Sequence, residues 1–267
     1  MVAVGSLLAE QLALWARVGL VYLPRPVPAP PLEISEPVAE PASEPAVEPV
    51  KTDPQSDDGV TPLTALPPEG DLFFEEPETW PDLASCQADA VGCAKCELSR
   101  TRNSVVFGEG APDARLMFVG EAPGADEDAQ GRPFVGRAGK LLDKMIVAMG
   151  LARGEVYIAN ILKCRPPGNR DPLPAEAAAC RPYLEAQINL IAPEMICCLG
   201  RHAAIRLLGR EESLSRLRGA IHRYNESSRV VVTYHPAYCL RNPDSKRDVW
   251  RDLQVVMGEL GLEPPRQ

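Results

Sequence analysis

The run GEAPGADEDAQGRPFVGRAGKLL at 120–142 constrains this chain more than any other stretch. It follows RLMFV at 115–119, an apolar pattern that predicts a buried strand. It holds five glycines, two prolines and four acids, then passes into a helical pattern, KLLDKMIVAMG. A strand, a glycine-rich loop and a helix start are how open α/β folds build a ligand site at a strand's carboxyl end. The loop has no GxGxxG, so it is not a dinucleotide fingerprint. No GK followed by Ser or Thr is present, so it is not a P-loop.

Downstream, the pattern predicts strand 115–119, helix 137–149, strand 156–163, helix 174–191, strand 195–199, helix 201–209, strands 218–224 and 229–234, and helix 243–260. This alternation implies an α/β domain with a central, mostly parallel sheet between two helical layers. Three loops leave the carboxyl ends of successive strands. They carry GEAPGADED with Phe134, Asn160 with KCRPP, and His235-Pro236. In open α/β sheets such loops gather around one crevice.

The first third of the chain has a different composition. Residues 24–82 repeat Glu-Pro pairs, with few aromatics and no apolar periodicity, which predicts a disordered linker over 24–84. Residues 6–23, SLLAEQLALWARVGLVYL, form an amphipathic helix candidate with Ser6 as N-cap. Polar residues interrupt its apolar run, so it is too short and too polar to span a bilayer. No cationic leader with a small-residue cleavage site appears, so the chain is expected to be cytoplasmic. The remaining residues, 85–267, suffice for one domain with a substantial core. Charge divides along the same boundary. Residues 1–90 hold 3 basic and 16 acidic residues, and the rest of the chain holds 25 and 21. The folded part is therefore mildly basic, which is compatible with a polyanionic partner.

Eight cysteines in a chain expected to be cytoplasmic argue for metal or reactive thiols over disulfides. Cys93 and Cys96 form a CxxC among charged neighbours. Cys164 ends an apolar strand pattern, and Cys180 follows in a helix. By spacing, such a set suits zinc and an iron–sulfur cluster about equally. Cys197 and Cys198 lie in a strand-like run and are expected to pack as small hydrophobes.

GEAPGADEDAQGRPFVGRAGKLLDKM, YIANILKCRPPGNRDP, CRPYLEAQI and HPAYCLR together resemble the family 4, iron–sulfur uracil-DNA glycosylases over about 90–256. The resemblance implies a three-layer uracil-DNA-glycosylase fold. It implies a [4Fe–4S] cluster on Cys93, Cys96, Cys164 and Cys180, and a base pocket of Glu121, Ala122, Glu127, Phe134, Asn160 and His235. It further implies a monomeric DNA repair enzyme, associated with the nucleoid in a prokaryote, that acts on uracil in single- or double-stranded DNA. The N-terminal segment is then a candidate for docking a repair or replication partner.

The residue types suit that chemistry. A base must leave the duplex to be read and cut. Phe134 offers a face for stacking. Asn160 presents one donor and one acceptor, matching uracil O4 and N3–H, although an asparagine here serves equally well as a strand-end cap. His235 is the candidate donor to uracil O2 as the departing base becomes an anion. Related families carry Asp or Asn where this chain has Ala122, so Glu121 and Glu127 are left as the candidates for orienting water or the base. Glu127 is also placed to crowd the 5-position against thymine. His202, at a helix start, and His222, in an alternating strand, are expected to be structural. Two rivals are a protein that traps uracil-DNA without turnover and an iron–sulfur redox or interaction protein. The first is disfavoured because the loop RPPGNRDPLP after Cys164 holds no histidine. Retention of Phe134, Asn160 and His235 disfavours the second.

Overall fold

The computed structural model describes residues 79–263. The helix expected at 6–23 and nearly all of the linker expected at 24–84 lie outside these residues. The six strands are β1 (Glu109–Gly110), β2 (Leu116–Gly120), β3 (Tyr157–Asn160), β4 (Met195–Leu199), β5 (Ile221–Arg223) and β6 (Arg229–Thr233). They form one sheet in the order β1-β3-β2-β4-β6-β5. The inner four run parallel, and the short edge strands β1 and β5 pair antiparallel with β3 and β6. Antiparallel edges on a parallel centre are common in large α/β sheets.

Alternation along the strands divides the core into two layers. Met117, Val119, Ile196, Cys198, Val230 and Val232 face one layer. Leu116, Phe118, Ile158, Met195, Cys197 and Val231 face the other. Cys197 and Cys198 are fully buried on opposite faces, as small hydrophobes. The first layer is covered by α1 (Leu83–Gly92), α4 (Pro174–Ile191) and α5 (Arg201–Leu208), the second by α3 (Arg137–Ala148) and α8 (Ser245–Leu260). The result is the three-layer α/β arrangement expected from the sequence. None of the described helices is long and apolar enough to cross a membrane.

Several elements differ from their expected extents. Helix α1 starts at Leu83, capped by Asp82, whose carboxylate accepts from the Ser85 amide at 2.7 Å. It buries Cys86 and Ala90 against α4, so the folded region begins before residue 85. The strand expected at 156–163 ends at Asn160. Its continuation runs beyond the sheet and is held by backbone contacts to the loop after β2, including Ile161 N to Gly120 O (2.9 Å) and Leu162 N to Glu121 O (3.0 Å). Three short helices fall in stretches where no element was expected: α2 (Ala125–Gln130), α6 (Leu214–Leu217) and α7 (Pro236–Arg241).

Candidate active site

The carboxyl ends of β2, β3 and β6 meet at one pocket of about 450 Å³, lined by Glu121, Ala122, Glu127, Phe134, Asn160 and His235. Those are the six residues expected there from the sequence. The pocket also receives Asn169, Arg170, Asp171, Tyr238 and Arg241. The first three lie in the KCRPPGNRDP run, where the sequence signalled a loop but no individual role.

Backbone geometry shapes the pocket. Gly120 ends β2, and a Cβ there would lie 2.4 Å from Asn160 Oδ1 and 2.6 Å from Phe134 Cζ. Only glycine lets the amide and the ring meet at this point. Phe134 has φ +51°, a left-handed conformation that costs a bulky residue free energy. It persists because its surroundings hold it. A Cβ on Gly139 would lie 1.8 Å from the Phe134 carbonyl oxygen, so the start of α3 packs directly on that peptide. Arg153 clamps the other side, donating to Pro133 O at 2.6 Å and Phe134 O at 3.3 Å. The Phe134 and His235 rings are 5.6 Å apart, tilted by 32°.

Asn160 is 1% exposed, and among the described residues its Oδ1 is the buried side-chain oxygen left without a hydrogen-bond partner. Such an atom costs about 1–3 kcal/mol unless something donates to it. His235 caps α7, and its Nδ1 accepts from Ala237 N at 3.1 Å. The proton of the neutral ring is therefore on Nε2. Burial, with Arg241 adding to it and Glu127 opposing, pushes His235 down to about 4. The imidazole is neutral at physiological pH.

The two carboxylates differ. Glu127 Oε1 accepts from Val135 N (2.9 Å) and Gly136 N (3.0 Å), and Oε2 accepts from Gly124 N (3.1 Å). It ties the glycine-rich loop shut and occupies the Gly136 amide at the start of α3. Glu121 makes no such bonds. Burial raises its carboxyl above the usual range, with His202 opposing and Asp171 assisting. Donor atoms of Glu121, Asp171 and His202 lie within 4.8 Å of one another, and His202 Nε2 is 3.6 Å from Asp171 Oδ2. His202, expected to be structural, thus stands at the pocket's edge. His222 stays structural, with its Nε2 2.8 Å from Leu217 O.

The four cysteines singled out for metal also converge. Cys93 follows α1, Cys96 precedes a short 3₁₀ turn, Cys164 ends the β3 loop and Cys180 lies in α4. Together they line one small cavity with Lys95, Arg102, Lys163 and Tyr183. Arg102 Nη1 approaches Cys164 Sγ at 3.2 Å, and Lys163 N approaches Cys180 Sγ at 3.2 Å. Burial pushes Cys180 up to about 11, against the pull of Lys163, and raises Cys164 against the pull of Arg102. Donors aimed at sulfur suit metal-bound thiolates. Cys86 and Cys239 are buried in the core outside this cavity.

Comparison with known proteins agrees with this geometry. Residues 107–254 match the family model described as the uracil DNA glycosylase superfamily. The type-4 uracil-DNA glycosylase of Sulfurisphaera tokodaii is 44% identical over 192 residues, covering 69% of this chain and 87% of that protein. That of Archaeoglobus fulgidus is 44% identical over 179 residues, covering 64% and 89%. The type-5 uracil-DNA glycosylase of Thermus thermophilus is more distant, at 33% over 150 residues. The chain belongs to the uracil DNA glycosylase superfamily and, within it, to the type-4 uracil-DNA glycosylases.

Proposed function

We propose that this protein flips uracil out of DNA into the pocket beneath β2, β3 and β6 and hydrolyses its N-glycosidic bond, leaving an abasic site. The observation that carries the assignment is the unpartnered Asn160 Oδ1 beside the Phe134 ring. A uracil stacked on Phe134 offers N3–H to that oxygen and O4 to the Asn160 amide N–H. Cytosine presents a lone pair at N3 and an amino group at C4, so it leaves the same buried groups opposed. A site built on such hydrogen bonds discriminates by about 10⁴ or more.

Bond cleavage leaves uracil as an anion beside an electron-poor sugar, and the main task is to stabilise that anion. His235 does this from its neutral state. Its Nδ1 is occupied by Ala237 N, so Nε2–H is the donor to O2. A neutral donor strengthens its bond as charge develops on the oxygen, without a proton leaving the ring. Glu121 is the free carboxylate at the pocket and is assigned to orienting the attacking water. Glu127 is a positioning residue that fixes the loop and, through Val135, the peptide after Phe134.

Arg241 lines the pocket and supplies positive charge toward the DNA backbone, whereas Arg170 beside it is paired with Glu176 through two hydrogen bonds. The wedge that fills the flipped base's space lies in α7. Cys239 is fully buried, which leaves Tyr238 and Leu240, 39% and 43% exposed. Cys93, Cys96, Cys164 and Cys180 are the residues that hold a [4Fe–4S] cluster. The choice of an iron–sulfur cluster over zinc rests on the resemblance to the type-4 enzymes, and the convergence of the four thiols on one cavity supports a shared metal group. Through these four residues a bound cluster would tie the end of α1 and the β3 loop to α4, an architectural contribution.

The test is base choice. Asn160→Asp replaces the donor–acceptor amide with a carboxylate that repels O4. Uracil excision should fall by about 10² or more, with weak release of cytosine. Unchanged uracil excision would remove Asn160 from base reading.

A further inference from the structure

The mechanism leaves one buried charge unused. Lys163 is 2% exposed, and among the described residues no carboxylate forms an ion pair with it. Its Nζ donates to Asn160 O at 2.9 Å and to Gln187 Oε1 at 2.5 Å. Its own amide points at Cys180 Sγ, 3.2 Å away, and the next residue is Cys164. Its carbonyl oxygen accepts from Val106 N at 2.8 Å. Gln187, fully buried, braces the arrangement by donating to Phe107 O (2.9 Å) and Tyr157 Oη (3.1 Å). One residue thus touches the wall of the four-thiol cavity with its main chain and the base-reading residue with its side chain.

A buried ammonium persists where hydrogen bonds and an opposing charge answer it. Here the acceptors of Nζ are Asn160 O and Gln187 Oε1, and the main chain of Lys163 is held between Cys180 Sγ and Cys164. We propose that Lys163 is a positioning residue that fixes Asn160 against the iron–sulfur site, so that occupancy of that site sets how tightly the base is read. The inference rests on the functional reading given above. On the sheet side, Asn160 is already paired in register with Gly120 on β2. Its carbonyl faces Lys163, so both sides of this peptide are fixed and the side-chain amide keeps its aim. Losing the group that would hold Cys164 and Cys180 frees the main chain of Lys163, and the 160–164 segment relaxes. The cluster then contributes to uracil recognition from outside the pocket.

The experiment uses holoprotein of full length. Wild type, Lys163→Met and Gln187→Met are compared for iron content, visible absorbance, inhibition by free uracil, affinity for abasic-site DNA, and uracil excision. Free uracil reports the base pocket alone, and abasic DNA reports the backbone contacts. Loss of one hydrogen bond's worth of positioning predicts a roughly three- to tenfold weaker uracil inhibition constant in both variants, with abasic-DNA affinity unchanged. Wild type stripped of iron should show the same split. Equal weakening of both ligands would mean general loosening and would overturn the proposal, as would unchanged uracil inhibition. If Lys163→Met fails to hold iron, Gln187→Met decides alone, because it leaves every neighbour of the thiols in place. If wild type releases no uracil, the functional reading itself fails. If wild type is active and the variants keep normal uracil inhibition, only the role of Lys163 fails.

Discussion

The neutral state of His235 makes a quantitative prediction about pH. An ordinary histidine at 6.5 would be roughly one-tenth neutral at pH 5.5, and one held at about 4 would be well over nine-tenths neutral. The single-turnover rate should therefore stay within about twofold between pH 7.5 and 5.5 and fall only as pH approaches 4. Repeating the profile in His202→Gln separates His235 from the histidine beside Glu121. The same depression acts on stability. Between pH 6.5 and 4 the unfolded chain binds a proton at His235 that the folded chain refuses, so stability falls as pH falls through this window. At 1.36 kcal/mol per unit, the loss is about 2 kcal/mol at pH 5 and about 3 kcal/mol below pH 4. His235→Gln should lack this component. Glu121, whose raised carboxyl acts in the opposite sense, is common to both proteins and cancels in the comparison. The Nδ1 contact also predicts an Nε2–H tautomer, readable from histidine ¹⁵N shifts in a chain with three histidines. A tenfold rate loss centred near pH 6.5, or a rate that rises on acidification, would refute the neutral-donor argument.

Three further outcomes follow from named contacts. Cys164→Ala should purify without iron or visible colour and with reduced solubility; zinc-loaded, colourless and fully active wild type would overturn the cluster assignment. A chain of residues 79–267 should keep its excision rate. Deletion through residue 84 also removes Trp80, stacked on Tyr183 at 5.2 Å, and the Asp82 cap, and should lower the melting temperature. Glu127→Gln weakens a carboxylate holding three amides and should cost about 1–2 kcal/mol of stability along with rate. Loss of rate at an unchanged melting temperature would make Glu127 the water-activating group instead.

Much of the pocket was legible because its residues sit at strand ends, in loops whose composition departs from their surroundings. Asn160 and His235 each close an apolar run, Phe134 lies in the polar glycine-rich loop that follows another, and a parallel sheet brings such ends together. The work of Glu127 was not legible. Its partners include Val135 and Gly136, eight and nine residues away, and only the closed loop presents their amides to it. His202 looked structural because it opens a helix far in sequence from Glu121. The parallel pairing of β2 with β4 places the starts of their following segments side by side. Helix α1 was missed because LASCQADAVG has little apolar patterning and follows a proline-rich acidic segment. Its order comes from burying Cys86 and Ala90 against α4, a tertiary effect that local propensity does not carry. Lys163 appeared as one basic residue in a motif. Its burial between the thiols and Asn160 is a property of the fold.

The central claim is that the pocket reads and releases uracil, and direct detection of the released base tests it most closely. Single- and double-stranded oligonucleotides carrying one uracil, cytosine or thymine would be incubated with excess protein, with the free base and the DNA product identified by mass. The account predicts free uracil and an abasic strand from the uracil substrates, with the other two bases retained. Intact uracil-DNA, a covalent protein–DNA adduct, or equal release of all three bases would contradict it.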